Sequence, residues 1–214
     1  MKLPPGPFDV ILADPPWSYF QTKPPTGNLI GCVVNKYTTM SLAELEALPV
    51  ADLCSPGGTL LAMWATLPKL IRGDAARLIR AWGFTPKAGI IWVKTCHDGV
   101  TPRAGIGYWS RGVGEVVALA TRGPIRVPPR GPACQPGIVS DEGGWLPVTP
   151  GRNDKPGWIV HAPRGRHSEK PPEVHAFLET MTAHHGARRL ELFARQTRPG
   201  WTCWGNEVDD DPLA

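Results

Sequence analysis

The chain has 214 residues, enough for one domain with a substantial core. Its 42% hydrophobic and 20% charged content suits a soluble globule, and without any run of about 18 apolar residues a membrane span is excluded. A net charge of +4 is too small to name a partner by itself.

The Met1-Lys2-Leu3-Pro4-Pro5-Gly6-Pro7 opening lacks the apolar segment of a secretory leader, so a cytoplasmic location is expected. Phe8-Asp9-Val10-Ile11-Leu12-Ala13 then reads as a buried strand, and Pro15 and Pro16 forbid its continuation. Residues 18 to 40 read as a loop. Ser41 with Glu44 forms a capping box that opens a short helix over Leu42 to Leu48, and Pro49 stops it. Gly58 to Ala65 is a second buried strand. Leu67, Leu70, Ile71, Ala75, Leu78, Ile79 and Trp82 recur at helical spacing and predict one helix closed by Gly83. Gly89 to Lys94, Glu115 to Ala120 and the short Trp158-Ile159-Val160 are further strands. Pro171-Pro172 starts a helix that carries Val174, Phe177, Leu178 and Met181 on one face and ends at Gly186. Arg189 to Ala194 is the last strand. Strands alternating with helices predict an α/β domain with a largely parallel sheet.

Residues 123–157 break the rhythm, with Gly and Pro every few positions and no apolar period. The segment reads as an inserted loop beside the active site, either mobile or in contact with substrate, within a single domain over 1–214. From Arg122 to Lys170 there are eight basic against four acidic residues, and Arg122, Arg164 and Arg166 among them could track phosphates. The five cysteines are scattered without a C-x-x-C pair, and no two histidines stand four apart. Neither a disulfide framework nor a metal site is expected.

The strand that ends on Asp14-Pro15-Pro16-Trp17 carries the chemistry. In open α/β sheets ligands bind at the carboxyl ends of strands, which is where Asp14 falls. A nucleobase amine is a poor nucleophile because its lone pair is delocalised into the ring. A carboxylate and a proline-locked carbonyl could accept its hydrogens and draw the nitrogen toward tetrahedral geometry, while the Trp17 ring would stack on the base, a contact worth about 1–3 kcal/mol. No glycine-rich turn follows the first strand, which excludes an ordinary nicotinamide or P-loop site. Lys170 before a helix, Arg195 after a strand, and Asn206-Glu207 beyond a tight turn instead suit an amino acid joined to a nucleoside: the lysine for a carboxylate, the others for ribose hydroxyls.

These residues occur within a longer series of blocks: Phe8 to Trp17, Tyr37 to Ser41, Ala81 to Phe84, Trp92-Val93-Lys94, Gly107 to Arg111, Ala120 to Gly123, Pro163 to Pro171, and Leu190 through Trp201 to Glu207. In that order they resemble the N6-adenine methyltransferases of the Asp-Pro-Pro-Trp type, a group that includes the catalytic subunit of the eukaryotic messenger-RNA adenine methyltransferase and short bacterial and phage members. The resemblance implies a Rossmann-like class I methyltransferase sheet in permuted order and S-adenosyl-L-methionine as methyl donor. It implies catalytic roles for Asp14, Pro15, Pro16 and Trp17, and cofactor contacts from Asp14, Lys170, Phe193, Arg195, Asn206 and Glu207. Tyr108, Trp109 and Glu115 would lie at the acceptor. The partner would be adenine-containing nucleic acid, with DNA ahead of RNA, and the oligomeric state stays open. A catalytically silent nucleic-acid-binding subunit, or a methyltransferase for another amine or amide, is the alternative.

Overall fold

The computed structural model describes residues 2–18, 39–98, 101–105, 111–125, 137–139, 145–147, 159–163, 169–182 and 186–208. Most of the 123–157 segment and the Tyr37-Thr38 pair lie outside the described residues.

Nine strands and four α-helices occur among them: β1 (Val10–Ala13), α1 (Leu42–Glu46), β2 (Thr59–Thr66), α2 (Leu67–Ile71), α3 (Asp74–Ala81), β3 (Thr85–Thr95), β4 (Gly114–Arg122), β5 (Gly137–Val139), β6 (Trp145–Pro147), β7 (Ile159–Pro163), α4 (Glu173–Thr182), β8 (Arg189–Leu192) and β9 (Thr202–Trp204). Seven strands form one sheet in the order β7-β3-β4-β2-β1-β8-β9. β4 runs antiparallel to both its neighbours, and every other pairing is parallel. β5 and β6 make a separate antiparallel pair inside the region read as an insertion.

Side chains leave β1 and β2 alternately to two apolar layers. Ile11, Ala13, Leu61, Met63 and Ala65 pack under α1 and α3 with Leu45, Leu78, Ile79 and Trp82, while Val10, Leu12, Leu60, Ala62 and Trp64 meet Val174, Phe177 and Leu178 of α4. Strands buried on both faces read as unbroken apolar runs, which is why both were legible.

The Ser41–Glu44 capping box forms as expected: the Glu44 amide donates to Ser41 Oγ at 3.2 Å, and the Ser41 amide donates to Glu44 Oε2 at 2.7 Å. The single helix expected from Leu67 to Trp82 is two. Gly73 adopts φ 81 between α2 and α3, a left-handed turn that glycine takes without the steric cost of a Cβ. The chain redirects there, and α3 then docks on α1 through Trp82 Nε1, which donates to the Leu45 carbonyl at 2.8 Å. The last strand ends at Leu192, and β9, for which the sequence reading has no counterpart, adds an outer parallel strand beside it.

Among the described residues no helix is long and apolar enough to cross a membrane.

Candidate active site

β1 stands at the point where the sheet order reverses. β2, next in the chain of sheet strands, pairs with one side of it, and β8, from the far end of the sequence, pairs with the other. Ala13 is in register with Met63 and with Leu192, so Asp14 leaves the sheet between the ends of two parallel neighbours. Crevices of this kind at reversal points receive ligands in open α/β sheets. The loop beyond is fixed by its own backbone. The Asp14 amide donates to the Leu192 carbonyl at 3.3 Å, the Trp17 amide to the Pro15 carbonyl at 2.7 Å, and the Met40 amide to the Pro16 carbonyl at 2.8 Å. The two prolines cannot donate and take part only through their carbonyls, which accept from Trp17 and Met40. The Pro15 carbonyl keeps a second lone pair.

Asp14 ends a chain of four alternating charges. Lys170 Nζ lies 3.0 Å from Asp14 Oδ2 and 3.2 Å from Glu115 Oε2, and Lys94 Nζ lies 2.5 Å from Glu115 Oε1. These side chains are largely enclosed: Lys170 is 14% exposed, Glu115 12% and Asp14 23%. The reversed direction of β4 brings Glu115 here, since its first residues stand beside the last of β2 and the later part of β3: Glu115 faces Thr66 and Trp92. Below the ammonium groups lies a floor of tryptophan. Lys170 sits 5.4 Å from the Trp64 ring centre and Lys94 5.0 Å from that of Trp92, and the two rings meet edge to face at 5.7 Å. Such cation–ring contacts add about 0.5–2 kcal/mol each when desolvated.

The electrostatics follow from burial and this pairing. Burial pushes the Asp14 carboxyl above the ordinary aspartate range; Lys170 pulls it back part of the way, and the Glu115 charge adds to the rise. Burial pushes Glu115 upward too, but Lys170 and Lys94 outweigh it, so its carboxyl lies below the ordinary glutamate range. Burial works against the Lys170 charge, yet Asp14 and Glu115 overcome it and hold the ammonium well above the usual lysine range. The result is a carboxylate of raised basicity beside a permanent cation.

The second half of the site is built on the end of β8. Phe193 turns out of the sheet with φ 64 and meets Trp204 at 5.6 Å, 68° between planes. A positive φ at a bulky residue is uncommon, and here it falls at the crevice, one residue past the strand. Ala194 donates its amide to the Trp204 carbonyl at 2.9 Å. Gly205 then passes so close to Ala194 that a Cβ would come within 2.0 Å of its carbonyl oxygen. That approach brings Asn206 and Glu207 back beside β8, where Glu207 Oε1 lies 3.8 Å from Arg195 Nε with 56% of its side chain exposed. The Arg195 charge in turn reaches Asp14. The structure thus gathers Asp14, Lys170 and Glu115 in one cluster and Phe193, Arg195, Asn206 and Glu207 in an adjoining one.

Two expected site residues are elsewhere. Trp17 is expected to stack on a base, but only 5% of it is exposed: Nε1 donates to the Trp64 carbonyl at 3.2 Å, Lys69 stands over the ring at 5.4 Å, and the ring fills the core with Met63 and Leu45. It braces the loop from beneath. Arg122 is at the opposite edge of the sheet from Asp14, because β4 is reversed: it faces Thr59, the first residue of β2, and its guanidinium lies against Gly83. Seven strand steps, about 23 Å, separate it from Glu115. Tyr108, Trp109, Arg164 and Arg166 lie outside the described residues.

Lys94 and Trp64 are the site residues that the sequence reading left without a role. Lys94 closes the Trp92-Val93-Lys94 block, and a lysine following an apolar strand run at the carboxyl edge was the available signal.

The fold is a Rossmann-like seven-stranded sheet in permuted order, the strand that carries the acid coming first and its β8 neighbour near the end. The MT-A70 family model matches residues 8–131 and 147–207, and the chain belongs to that family. It is 29% identical over 227 residues to the Type II methyltransferase M.MunI of a Mycoplasma species, covering 99% of this chain and 82% of that protein. It is 30% identical over 210 residues to the human N(6)-adenine-specific methyltransferase METTL4, covering 94% of this chain but 37% of the relative. The Drosophila melanogaster N(6)-adenosine-methyltransferase MT-A70-like protein matches at 27% over 207 residues, 27% of its length.

Proposed function

We propose that this enzyme transfers a methyl group from S-adenosyl-L-methionine to the N6 amine of adenine in nucleic acid, with DNA as the preferred substrate. The observation that carries the reading is the Asp14–Lys170–Glu115 cluster at the sheet reversal, an enclosed carboxylate and an enclosed cation a hydrogen bond apart.

The donor set fits a zwitterionic amino acid joined to a nucleoside. Lys170 would hold the methionine carboxylate. Arg195, Asn206 and the largely exposed Glu207 would take the ribose hydroxyls, and the turn that presents Asn206 and Glu207 has no room for a Cβ at position 205. Phe193, beside Trp204, offers an apolar surface to the adenine ring. When bound, the cofactor supplies an electrophilic methyl group on a sulfonium.

The chain's own contribution is to the acceptor. The Asp14 carboxylate and the free lone pair of the Pro15 carbonyl accept the two amine hydrogens, which localises the nitrogen lone pair. Burial raises the basicity of Asp14 and so strengthens that hydrogen bond; Asp14 or water takes the proton after transfer. Glu115, 3.2 Å from Lys170, would lie near the acceptor. Fixing the amine in line could contribute about 7–11 kcal/mol to the rate. A base extruded from a duplex costs a few kcal/mol, to be offset by contacts other than Trp17, whose ring is in the core.

DNA is placed ahead of RNA on the relatives' names and coverage. Adenosine names a ribonucleoside, and the Drosophila relative so named is spanned over 27% of its length, against 82% for the Type II methyltransferase. Residues 123–157 are read as an insertion whose part in the reaction would be contact with substrate; the family model passes over residues 132–146 within it.

The test is transfer of labelled methyl from S-adenosylmethionine to adenine-containing oligonucleotides. Asp14→Ala should retain calorimetric binding of the donor and lose transfer by at least about a hundredfold. Turnover persisting in that variant would overturn the assignment.

A further inference from the structure

Lys94 belongs neither to the loop that would hold the amine nor to the elements that would hold the cofactor, yet it is built into the same cluster. It occupies the carboxyl end of β3, next to Thr95, with its amide donating to the Val113 carbonyl at 2.7 Å and its own carbonyl accepting from the Arg103 amide at 2.7 Å. Its ammonium lies over the Trp92 ring, and that ring is fixed by Nε1 donating to the Ala162 carbonyl at 3.1 Å. The side chain therefore leaves a rigid strand over a rigid floor, and it meets one oxygen of Glu115. The other oxygen of Glu115 is the one that reaches Lys170.

We propose that Lys94 is a positioning residue: by occupying Glu115 Oε1 it turns Glu115 Oε2 toward Lys170, so that Lys170 is shared between two carboxylates and does not close on Asp14 alone.

Three charges act on Asp14. From β4 it meets Glu115, from the segment before α4 Lys170, and from beyond β8 Arg195; Glu115 in turn meets Lys170 and Lys94. With all four groups ionised the two lysines balance the two carboxylates, and the four-membered chain is neutral. Remove the Lys94 ammonium and three groups carry a net negative charge in an enclosed space. Glu115, having lost one of its two cations, then takes up its proton at higher pH. Lys170 is left with Asp14 as its only anionic partner. Once Glu115 carries the proton, its charge no longer raises Asp14, which becomes a weaker acceptor.

This electrostatic part stands on the cluster alone; only its consequence for transfer rests on the proposed function. The experiment accordingly begins without turnover. Carboxyl-carbon NMR titration of the full chain, with signals assigned through Asp14→Asn and Glu115→Gln, follows both groups in wild type, Lys94→Met and Lys94→Arg. In Lys94→Met the Glu115 midpoint should rise by about one unit or more, a tenfold gain in proton affinity, while the Asp14 midpoint falls. Lys94→Arg should restore both, and Glu115→Gln should reproduce the Asp14 fall from the other side, which keeps the test alive if Lys94→Met does not fold. An Asp14 midpoint that stays put in Glu115→Gln, or a Glu115 midpoint that stays put in Lys94→Met, overturns the proposal, whatever the thermal stability does. Where wild type methylates DNA, the Lys94→Met defect should lie in kcat with the donor's calorimetric affinity within about threefold. A defect confined to stability would be structural only and would also overturn it.

Discussion

Replacing Trp17 with Phe separates the two readings of the Asp-Pro-Pro-Trp loop. The substitution keeps an aromatic face but removes the indole N–H that the Trp64 carbonyl accepts from at 3.2 Å. Leaving that carbonyl unsatisfied in an enclosed position costs about 1–3 kcal/mol, and the smaller ring leaves space in a core built to close density. Together these give a loss of about 2–3 kcal/mol. For a chain of this size each kcal/mol moves Tm by about 2–4 °C, so thermal unfolding followed by circular dichroism should show a fall of about 4–12 °C. Fluorescence anisotropy with an adenine-containing oligonucleotide should show little change, because the ring faces the core. An unchanged Tm with affinity weakened by the about 1–3 kcal/mol of a lost stacking contact would refute this reasoning and return Trp17 to the base pocket.

Gly205→Ala drives a methyl into the Ala194 carbonyl; overpacking of this kind costs about 1–3 kcal/mol or more, and calorimetry should find donor binding weakened alongside the lowered Tm. Arg122→Ala, at the far edge of the sheet, should leave methyl transfer within about twofold of wild type, and a loss of tenfold would contradict its placement. Lys170→Met strands Asp14 and Glu115; a broken buried pair costs about 3–5 kcal/mol, here reduced to about 2 kcal/mol because Asp14 is partly exposed and Glu115 keeps Lys94, and denaturant titration reads it. The sign of the Lys170 shift makes its contribution complete below about pH 10.4, the unfolded lysine value, and lost as pH rises through the higher folded one. Lys170→Met should therefore show a flatter alkaline decline of stability than wild type. At the acid end, Glu115, held low, loses its contribution as pH falls through its folded value, while raised Asp14 acts with the opposite sign.

Much of the site was legible because its anchor is chemical punctuation: two prolines after an apolar run fix where a strand stops, whatever the tertiary context. The capping box at Ser41 was legible for the same local reason. The direction of β4 was not, since a buried strand is an apolar run in either orientation. The missing signal was the connection between β3 and β4, which carries no helical period and so suits an antiparallel neighbour better than a parallel crossover. That reversal delivers Glu115 to the site and carries Arg122 away from it. The burial of Trp17 depends on α2, β2 and Lys69 closing over the ring, contacts distant in sequence. Gly73-Asp74 did mark the break between α2 and α3, but the apolar spacing on either side masked it.

The account turns on methylation of adenine at N6, and nucleoside mass spectrometry reads that product directly. DNA and RNA incubated with the purified protein and S-adenosylmethionine should yield N6-methyladenine, more in DNA than in RNA, and none when Asp14 is replaced by Ala. Nucleic acid of both kinds returned without N6-methyladenine by a wild-type protein that binds the donor would contradict it.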